Sequence, residues 1–337
     1  MRRSLDLLHD NGCRSYVSCM VVHQDSVMEA TLMLRLARLR CVPAIFRNLT
    51  GITLAVFDQL LDDLRPTFTT DRRRRLDRPD RQRAFGGGDD FDLEPDDQFL
   101  LTIFWLRHYP TQEVLGYLFG VSDSTAKRAI DRCLPLLEIA GRDTMRMPDP
   151  GRGRRKNLSA LLKDTPDVAV IIDTFEQPVQ RPQRRQKRFY SGKKKRHTLK
   201  SQVAVDEETG AIVDVADSVP GPTADIKVLK KSKLLKRLPP GVGGLGDLAY
   251  VGIADLHPEG LGATGRRKPR GQPRPLADRR YNKAFSRRRI VVEHGIGRLR
   301  RYQVLTHTDR HFRQGHTTRV RAVAGLVNRM LQQKPGA

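Results

Sequence analysis

The 337-residue sequence has few cysteines, few acids and no long apolar run. Its four cysteines (Cys13, Cys19, Cys41 and Cys133) form no Cys-x-x-Cys pair, which argues against a zinc knuckle and for reduced, intracellular thiols. Nothing approaches 18 consecutive apolar residues, so no spanning helix is expected. The first residues, MRRSLDLLHDNGCRSYVSC, lack the uninterrupted hydrophobic core of a signal peptide. Acids number 38 against 62 Lys and Arg, a formal charge of +24 and a pI near 10.5. That excess calls for a polyanionic partner, nucleic acid first and an anionic membrane second.

What the sequence does contain is organised around Asp167–Pro182, DVAVIIDTFEQPVQRP. Val168 to Ile172 form a short apolar, largely β-branched run, the pattern of a strand buried on both faces. Asp173 is expected to end it at the rim of the sheet. A strand-ending Asp most often caps a turn. Its downstream company makes a catalytic role worth weighing.

Upstream, residues 1–40 are a poorly defined extension. Thr53 is placed to cap a helix over Leu54–Leu64, ended by Pro66. Residues 69–90, with RRRRLDRPDRQR and GGGDD, read as a solvated loop rather than a DNA-phosphate arm. Asp97–Tyr109 is helical. TQEVLGYLFGVSDSTAKRAIDRCLPLL then sets out a helix-turn-helix over about 111–138. Thr111 and Glu113 begin its first helix, Gly120 permits its turn, and Ser122 caps a second helix carrying Thr125, Lys127, Arg128 and Arg132, which Pro135 should end or kink. These residues are candidates for the major groove, although such hairpins also serve as plain packing units. Residues 41–140 are thus expected to form a helical DNA-binding domain, 141–160 a linker, and 161–333 an α/β domain.

Within that last part, residues 184–200 hold nine Lys or Arg and no acid, with Phe189 and Tyr190 interleaved. Lys193, Lys194, Lys195 and Arg196 are candidate phosphate contacts there. Leu199–Val205 and Ala211–Val219 read as a hairpin around Glu207–Gly210. Ala224–Leu238 reads as a helix, and GGLGD as a short strand ending at Asp247. Residues 262–283 read as a basic loop, Asn282–Tyr302 as a helix and Thr318–Gln332 as another.

Glu293 is the only acid between Asp278 and Asp309. On a helix it shares a face with Ser286, Arg289 and Arg300. A surface Arg289–Glu293 pair worth at most ~0.5 kcal/mol is the bland alternative. Asp173, Asp247 and Glu293 together suit a two-metal phosphodiester site, because hard Mg²⁺ (or Mn²⁺) takes carboxylate oxygens and two ions ~4 Å apart stabilise attacking and leaving oxygens.

From about Arg40 to Met330 the sequence resembles the DDE transposases of bacterial insertion sequences. The resemblance is carried in order by LRHYPTQEVLGYLFGVS, DTFEQPVQRP followed by FYSGKKKRHTLK, GDLAYVGI, and SRRRIVVEHGIGRLRRY. It implies an RNase H-like catalytic fold, a mixed sheet flanked by helices, behind an all-α helix-turn-helix domain. It also implies Asp173, Asp247 and Glu293 as metal ligands, with Glu176, Arg289 and Arg300 in support. The family's Asp-Gly-Thr-Glu becomes Asp173-Thr174-Phe175-Glu176. Its Tyr-x2-Arg-x3-Glu-x6-Lys becomes Ser286, Arg289, Glu293 and Arg300, which keeps the charge and loses the stacking ring. The expected partners are double-stranded DNA, as element terminal repeats and target, and further copies of the chain assembled on it. The expected location is cytoplasmic, on the nucleoid. A domesticated or decayed copy that only binds DNA, and a basic RNA-binding protein, are the competing readings.

Overall fold

Residues 33–77, 93–152, 160–311 and 313–333 are described by a computed structural model. Most of the N-terminal extension, residues 153–159 of the expected linker and most of the 69–90 loop lie outside them.

The N-terminal part is helical: α1 (Leu36–Arg40), α2 (Pro43–Thr50), α3 (Leu54–Leu76), α4 (Pro95–His108), α5 (Gln112–Phe119) and α6 (Asp123–Arg142). Caps are where the sequence places them. The hydroxyls of Thr53, Thr111 and Ser122 accept the amides of Val56, Val114 and Thr125, each satisfying an N–H that the first helical turn leaves open. Gly120 turns between α5 and α6 at φ 61°, left-handed backbone that glycine adopts without steric cost.

Two prolines expected to stop helices do not. Helix α3 runs through Pro66, so residues 69–76 are helical rather than looped. Beyond the proline, Phe68 is buried against Phe99 with ring centroids 5.5 Å apart. Helix α6 runs through Pro135 because Cys133, Leu136, Leu137 and Ala140 stay buried along it. Its end lies so close to the C-terminal helix that a Cβ on Gly325 would overlap the Gly141 Cα. An interior proline costs ~3 kcal/mol, about what burying one or two large side chains returns.

The rest is built on a seven-stranded mixed sheet of β1 (Val168–Pro178), β2 (Tyr190–Ser191), β3 (Arg196–Asp206), β4 (Ile212–Val215), β5 (Val219–Pro220), β6 (Val242–Gly246) and β7 (Gly262–Thr264). The order is β2-β3-β1-β6-β7, with β4 and β5 also paired to β3. β1 and β3 are antiparallel, while β1, β6 and β7 run parallel. The helices here are α7 (Gln186–Phe189), α8 (Asp225–Ser232), α9 (Leu234–Arg237), α10 (Leu276–Leu299) and α11 (His316–Gln332). The sheet has one core on each face. Ala169, Ile171, Phe175, Val203 and Val205 join α10, α11 and the N-terminal helices, whereas Val170, Ile172 and Ala204 pack with Leu229, Leu234, Leu235 and Tyr250. This is the expected α/β, RNase H-like arrangement of a mixed sheet flanked by helices.

Three element boundaries differ from expectation. β1 does not end at Asp173 but continues to Pro178, because β3 supplies an antiparallel partner as far as Thr198. The expected helix over 224–238 breaks at Lys233, φ 54°, into α8 and α9. The 262–283 segment is no plain loop: it holds β7 and the first turns of α10, and Asn282 pins what lies between by bonding the Arg266 amide and carbonyl at 2.7 and 3.0 Å.

A buried histidine ties α11 to the end of β1. His316 Nε2 meets Gln177 Oε1 at 2.8 Å and Nδ1 meets Ser218 Oγ at 2.7 Å. Burial, with Arg319 acting the same way, pushes its pKa from 6.5 down to about 4. The unfolded chain takes up this proton near pH 6.5 and the folded chain only near 4, so acid in that window favours unfolding. Denaturant titrations should show roughly 3 kcal/mol of stability lost to this group by pH 4. His316→Gln should remove most of that loss; equal pH slopes would assign it elsewhere.

Candidate active site and DNA-binding surfaces

The parallel pairing of β1 and β6 ends with Ile171 beside Leu245, so Asp173 and Asp247 both lie two residues beyond the same end of that pairing. β6 can pass here because three of its five residues are glycine. A Cβ on Gly246 would stand 2.7 Å from the Tyr250 ring, and one on Gly244 would stand 2.6 Å from Leu235. Asp247 Oδ1 accepts the Ala249 amide at 2.9 Å. Asp173 Oδ1 accepts the Thr174 amide at 2.7 Å and Oδ2 faces Arg289 Nη2 at 3.2 Å.

Burial pushes the Asp173 carboxyl above its ordinary pKa, and the negative charges of Asp247 and Asp225 act the same way against Thr174 and Arg289. The aspartates are thus an anionic pair that the protein does not fully offset. The buried Tyr250 hydroxyl, within electrostatic reach of Asp173, Asp225 and Asp247, has no hydrogen-bond partner. Burial also holds that phenol far above its usual pKa.

Alternation along β1 separates the two acids of the Asp-x-x-Glu pattern. Asp173 points to the α10 face, while Thr174 and Glu176 point to the other. There Glu176 accepts Thr198 Oγ1 at 2.7 Å, Thr174 Oγ1 donates to Asp225 at 3.0 Å, and buried Lys200 donates to Asp225 at 2.7 Å. Glu176 therefore belongs to a network with Lys200 and Asp225 beneath the site. The sequence offered no sign of Lys200 and Asp225 beyond a lysine ending a basic run and an acid opening a helix.

On α10, Ser286, Arg289 and Glu293 do share a face, and Arg289 reaches Asp173. Glu293 is exposed, one turn further along. Among the described residues no three His, Cys, Asp or Glu side chains gather closely enough to hold a metal. Arg300 falls outside the helix, as its exposed C-cap. Of the two glycines here, Gly295 lies against β3, where a Cβ would be 3.0 Å from Val205, and Gly297 faces open space. The stacking ring lost from this face has no substitute in Phe285, which is buried and stacked on Tyr281.

Beside the acids lies a cavity of about 270 Å³, lined on one side by Asp247 and Leu248 and on the other by Arg274, Asn282, Ser286 and Arg289. Arg274 Nε and Arg289 Nε are buried without partners. The 262–283 segment thus brings an unforeseen cation, Arg274, to the acidic pair. Carboxylates with oxygen-only donors fit hard divalent ions, and unpaired guanidinium N–H groups fit phosphate oxygens.

In the helix-turn-helix, Lys127 and Arg128 are exposed and Thr125 is half-buried against Ser122. Lys127 is paired with Asp131 one turn on. Arg132, expected on the polar face, turns back to Gln98 at 2.6 Å. Tyr117 of α5 is 81% exposed beside this face, a feature the periodicity did not reveal. Lys193, Lys194, Lys195 and Arg196 are exposed at the turn into β3. Arg196 precedes Val203, the partner of Asp173, by seven residues (203 − 196), or roughly 23 Å of strand.

Comparison with known proteins agrees with this architecture. Residues 172–328 match the family described as DDE superfamily endonuclease, and residues 91–143 match the helix-turn-helix of DDE superfamily endonuclease. The chain is 28% identical over 295 residues to a probable transposase for insertion sequence element IS702 from Microchaete diplosiphon, spanning 86% of this chain and 95% of that protein. No solved structure matches the chain. With one family match running from β1 into α11, a second over α4 to α6, and a relative along most of its length, the chain carries both matched parts of a DDE superfamily endonuclease and is similar throughout to an insertion-sequence transposase.

Proposed function

We propose that this transposase nicks DNA at the ends of its own element and joins the freed 3′-OH to target DNA. The observation that carries the reading is the cavity lined by Asp247 and Arg289, where Arg274 Nε and Arg289 Nε are buried without partners and Arg289 Nη2 reaches Asp173 at 3.2 Å. Asp173, Asp247 and Glu293 would hold two Mg²⁺ or Mn²⁺ ions, with Glu293 closing the set from the α10 face that already reaches Asp173. When bound, such ions activate water and offset charge on the phosphodiester. The protein's own groups do the positioning. Arg274 and Arg289 orient the scissile phosphate, the Lys200–Asp225–Glu176 network fixes β1 behind Asp173, and Lys193–Arg196 hold the backbone about one duplex width away.

Residues 41–140 would select the element ends and residues 161–333 would carry the chemistry, joined through 141–160. Copies would assemble on double-stranded DNA in the cytoplasm, at the nucleoid. No helix among the described residues is long and apolar enough to cross a membrane.

Incubation with duplex spanning an element boundary and Mg²⁺ tests the reading: a nick leaving a 3′-OH at the repeat boundary is expected, and intact duplex under saturating protein would refute it. A copy that only binds DNA is the second reading, favoured by Glu293 standing apart from the aspartates; metal-independent binding without any cleavage would select it.

For recognition, the N-terminal turns of α6 are the expected readers of the major groove. Thr125→Ala with Lys127→Ala should weaken binding to element ends by about 10- to 100-fold, the worth of one or two base contacts, and leave random duplex nearly unaffected. Equal weakening on both DNAs would reduce these residues to phosphate contacts.

A further inference from the structure

A second cavity, of about 230 Å³, lies where the helical part meets the end of α10. Arg47, Arg107, Arg298 and Arg301 line it, together with Asn48 and the ring of Tyr302, and no carboxylate lines it. Four guanidinium groups around so small a space are mutually repulsive, and the pairing seen elsewhere in the protein does not relieve them. Arg298 shows the consequence. Burial and then the charge of Arg301 lower its pKa, and no acid acts in the opposite direction. Its Nη1 has only the Gly210 carbonyl, at 3.2 Å. Arg107 donates to the Arg301 carbonyl at 2.8 Å and lies over the Tyr302 ring at 5.3 Å, which fixes one wall but neutralises nothing. Arg47 and Arg301 are exposed at the rim, and no ion pair holds either among the described residues.

The wall itself is rigid. Gly51 ends α2 at φ 81°, and a Cβ there would stand 2.9 Å from the Tyr302 hydroxyl and 3.4 Å from Arg107 Cδ. A preformed, acid-free cradle of guanidinium donors is what a phosphate oxyanion fits, since Arg binds phosphate through paired N–H groups.

We propose that this arginine cavity is a second phosphate-binding site of the protein, and that the phosphate it takes belongs to the backbone of bound duplex. The placement supports the choice of duplex. Arg298 follows Glu293 by five residues (298 − 293), about 8 Å of helix rise and roughly 140° of turn, so the cavity lies round the end of α10 from the acidic residues at less than the width of a duplex along the helix. The cavity also joins α2 and α4 of the helical part to α10, so one bound phosphate would bridge the parts assigned to recognition and to cleavage. The duplex half of this inference rests on the transposase reading; the anion site stands on the four arginines alone.

The test is Arg47→Gln with Arg301→Gln in the full chain, both rim positions outside the cleavage and recognition residues. On random duplex, the slope of log K against log [salt] should flatten by about one unit relative to wild type, since each phosphate the protein neutralises adds about 0.9 to that slope. The unfolding temperature without ligand should not change, and Arg47→Lys with Arg301→Lys should restore the slope. In a second arm, inorganic phosphate should raise the unfolding temperature of the wild type and not of the Gln variant. An unchanged slope combined with absent phosphate protection in the variant would overturn the duplex as source and leave a free phosphate species. An unchanged slope with unchanged protection would overturn the site itself. Failure of the wild type to bind duplex at all would instead count against the transposase reading and leave the phosphate arm standing.

Discussion

Asp173→Asn, Asp247→Asn and Glu293→Gln are each expected to reduce strand cleavage by about 10³-fold or more while duplex binding stays within about twofold. The substitutions keep shape and remove only the charge, so a fold defect should not mimic the result. For Asp173 the direction of the stability change can be worked out. Its carboxyl is pushed above 3.8 by burial first and then by Asp247 and Asp225. A raised acid favours folding below the unfolded pKa and loses that contribution as pH rises through the window above it, so at pH 7 the ionised form opposes folding. Asp173→Asn should therefore unfold at the same temperature as wild type or higher in the presence of chelator. Mg²⁺ should stabilise wild type and leave this variant unmoved, a readout independent of turnover. Glu293 is exposed, so Glu293→Gln should barely alter stability. Glu176→Gln should behave differently, lowering both stability and rate, because Glu176 is buried on the far face with Thr198 and Lys200. Near-normal cleavage by any of the three triad variants removes that residue from the site.

The parts legible in the sequence were those fixed by local chemistry. Thr53, Thr111 and Ser122 cap helices, Gly120 turns one, and the apolar run Val168–Ile172 forms a strand, each within a few residues of the signal that announced it. What escaped was decided by partners distant in sequence. Pro66 and Pro135 are tolerated because Phe68 and the Leu136–Ala140 face find neighbours on α4 and α11, which no local rule registers. β1 outlasts Asp173 because β3, some twenty residues on, pairs with it from Val170 to Pro178. The site divides in the same way. Asp173 and Asp247 could be chosen as acids at strand ends, and Arg289 from its spacing on α10. Lys200 and Arg274 could not, since each looked like one more cation in a solvated run, and only the fold shows Lys200 buried on Asp225 and Arg274 turned towards Asp247. Glu176 shows the limit of a shared motif: three residues from Asp173 on a strand means the opposite face.

The rotation of α10, which aims Arg289 at Asp173, is set by the residue beside it. Arg288 enters the interior and meets Glu207 at 2.7 and 2.6 Å through Nε and Nη2, Thr165 Oγ1 at 2.7 Å and the Pro166 carbonyl at 2.8 Å. The two side chains are 4% and 3% exposed. Glu207 opens the β3–β4 turn and Pro166 leads into β1, so one guanidinium ties α10 to the end of β3 and to the start of β1, the strand that carries Asp173. Arg288→Met should cost about 3–5 kcal/mol, because it strips the buried Glu207 carboxylate of its guanidinium partner. Urea unfolding measures this directly, and a loss under about 1 kcal/mol would show that water reaches Glu207 and that the pair does not fix the helix. Arg288→Met with Glu207→Leu removes the orphaned charge and should recover most of the stability, as apolar replacements of buried ion pairs often do. The double variant then separates folding from positioning. If the pair is what orients α10, cleavage should remain depressed by about 10- to 100-fold in a protein as stable as wild type, a displacement of about 1 Å at the reacting groups being enough. Full recovery of cleavage together with stability would reduce Arg288 and Glu207 to core residues and leave the placement of Arg289 to the packing of Phe285 and Val292.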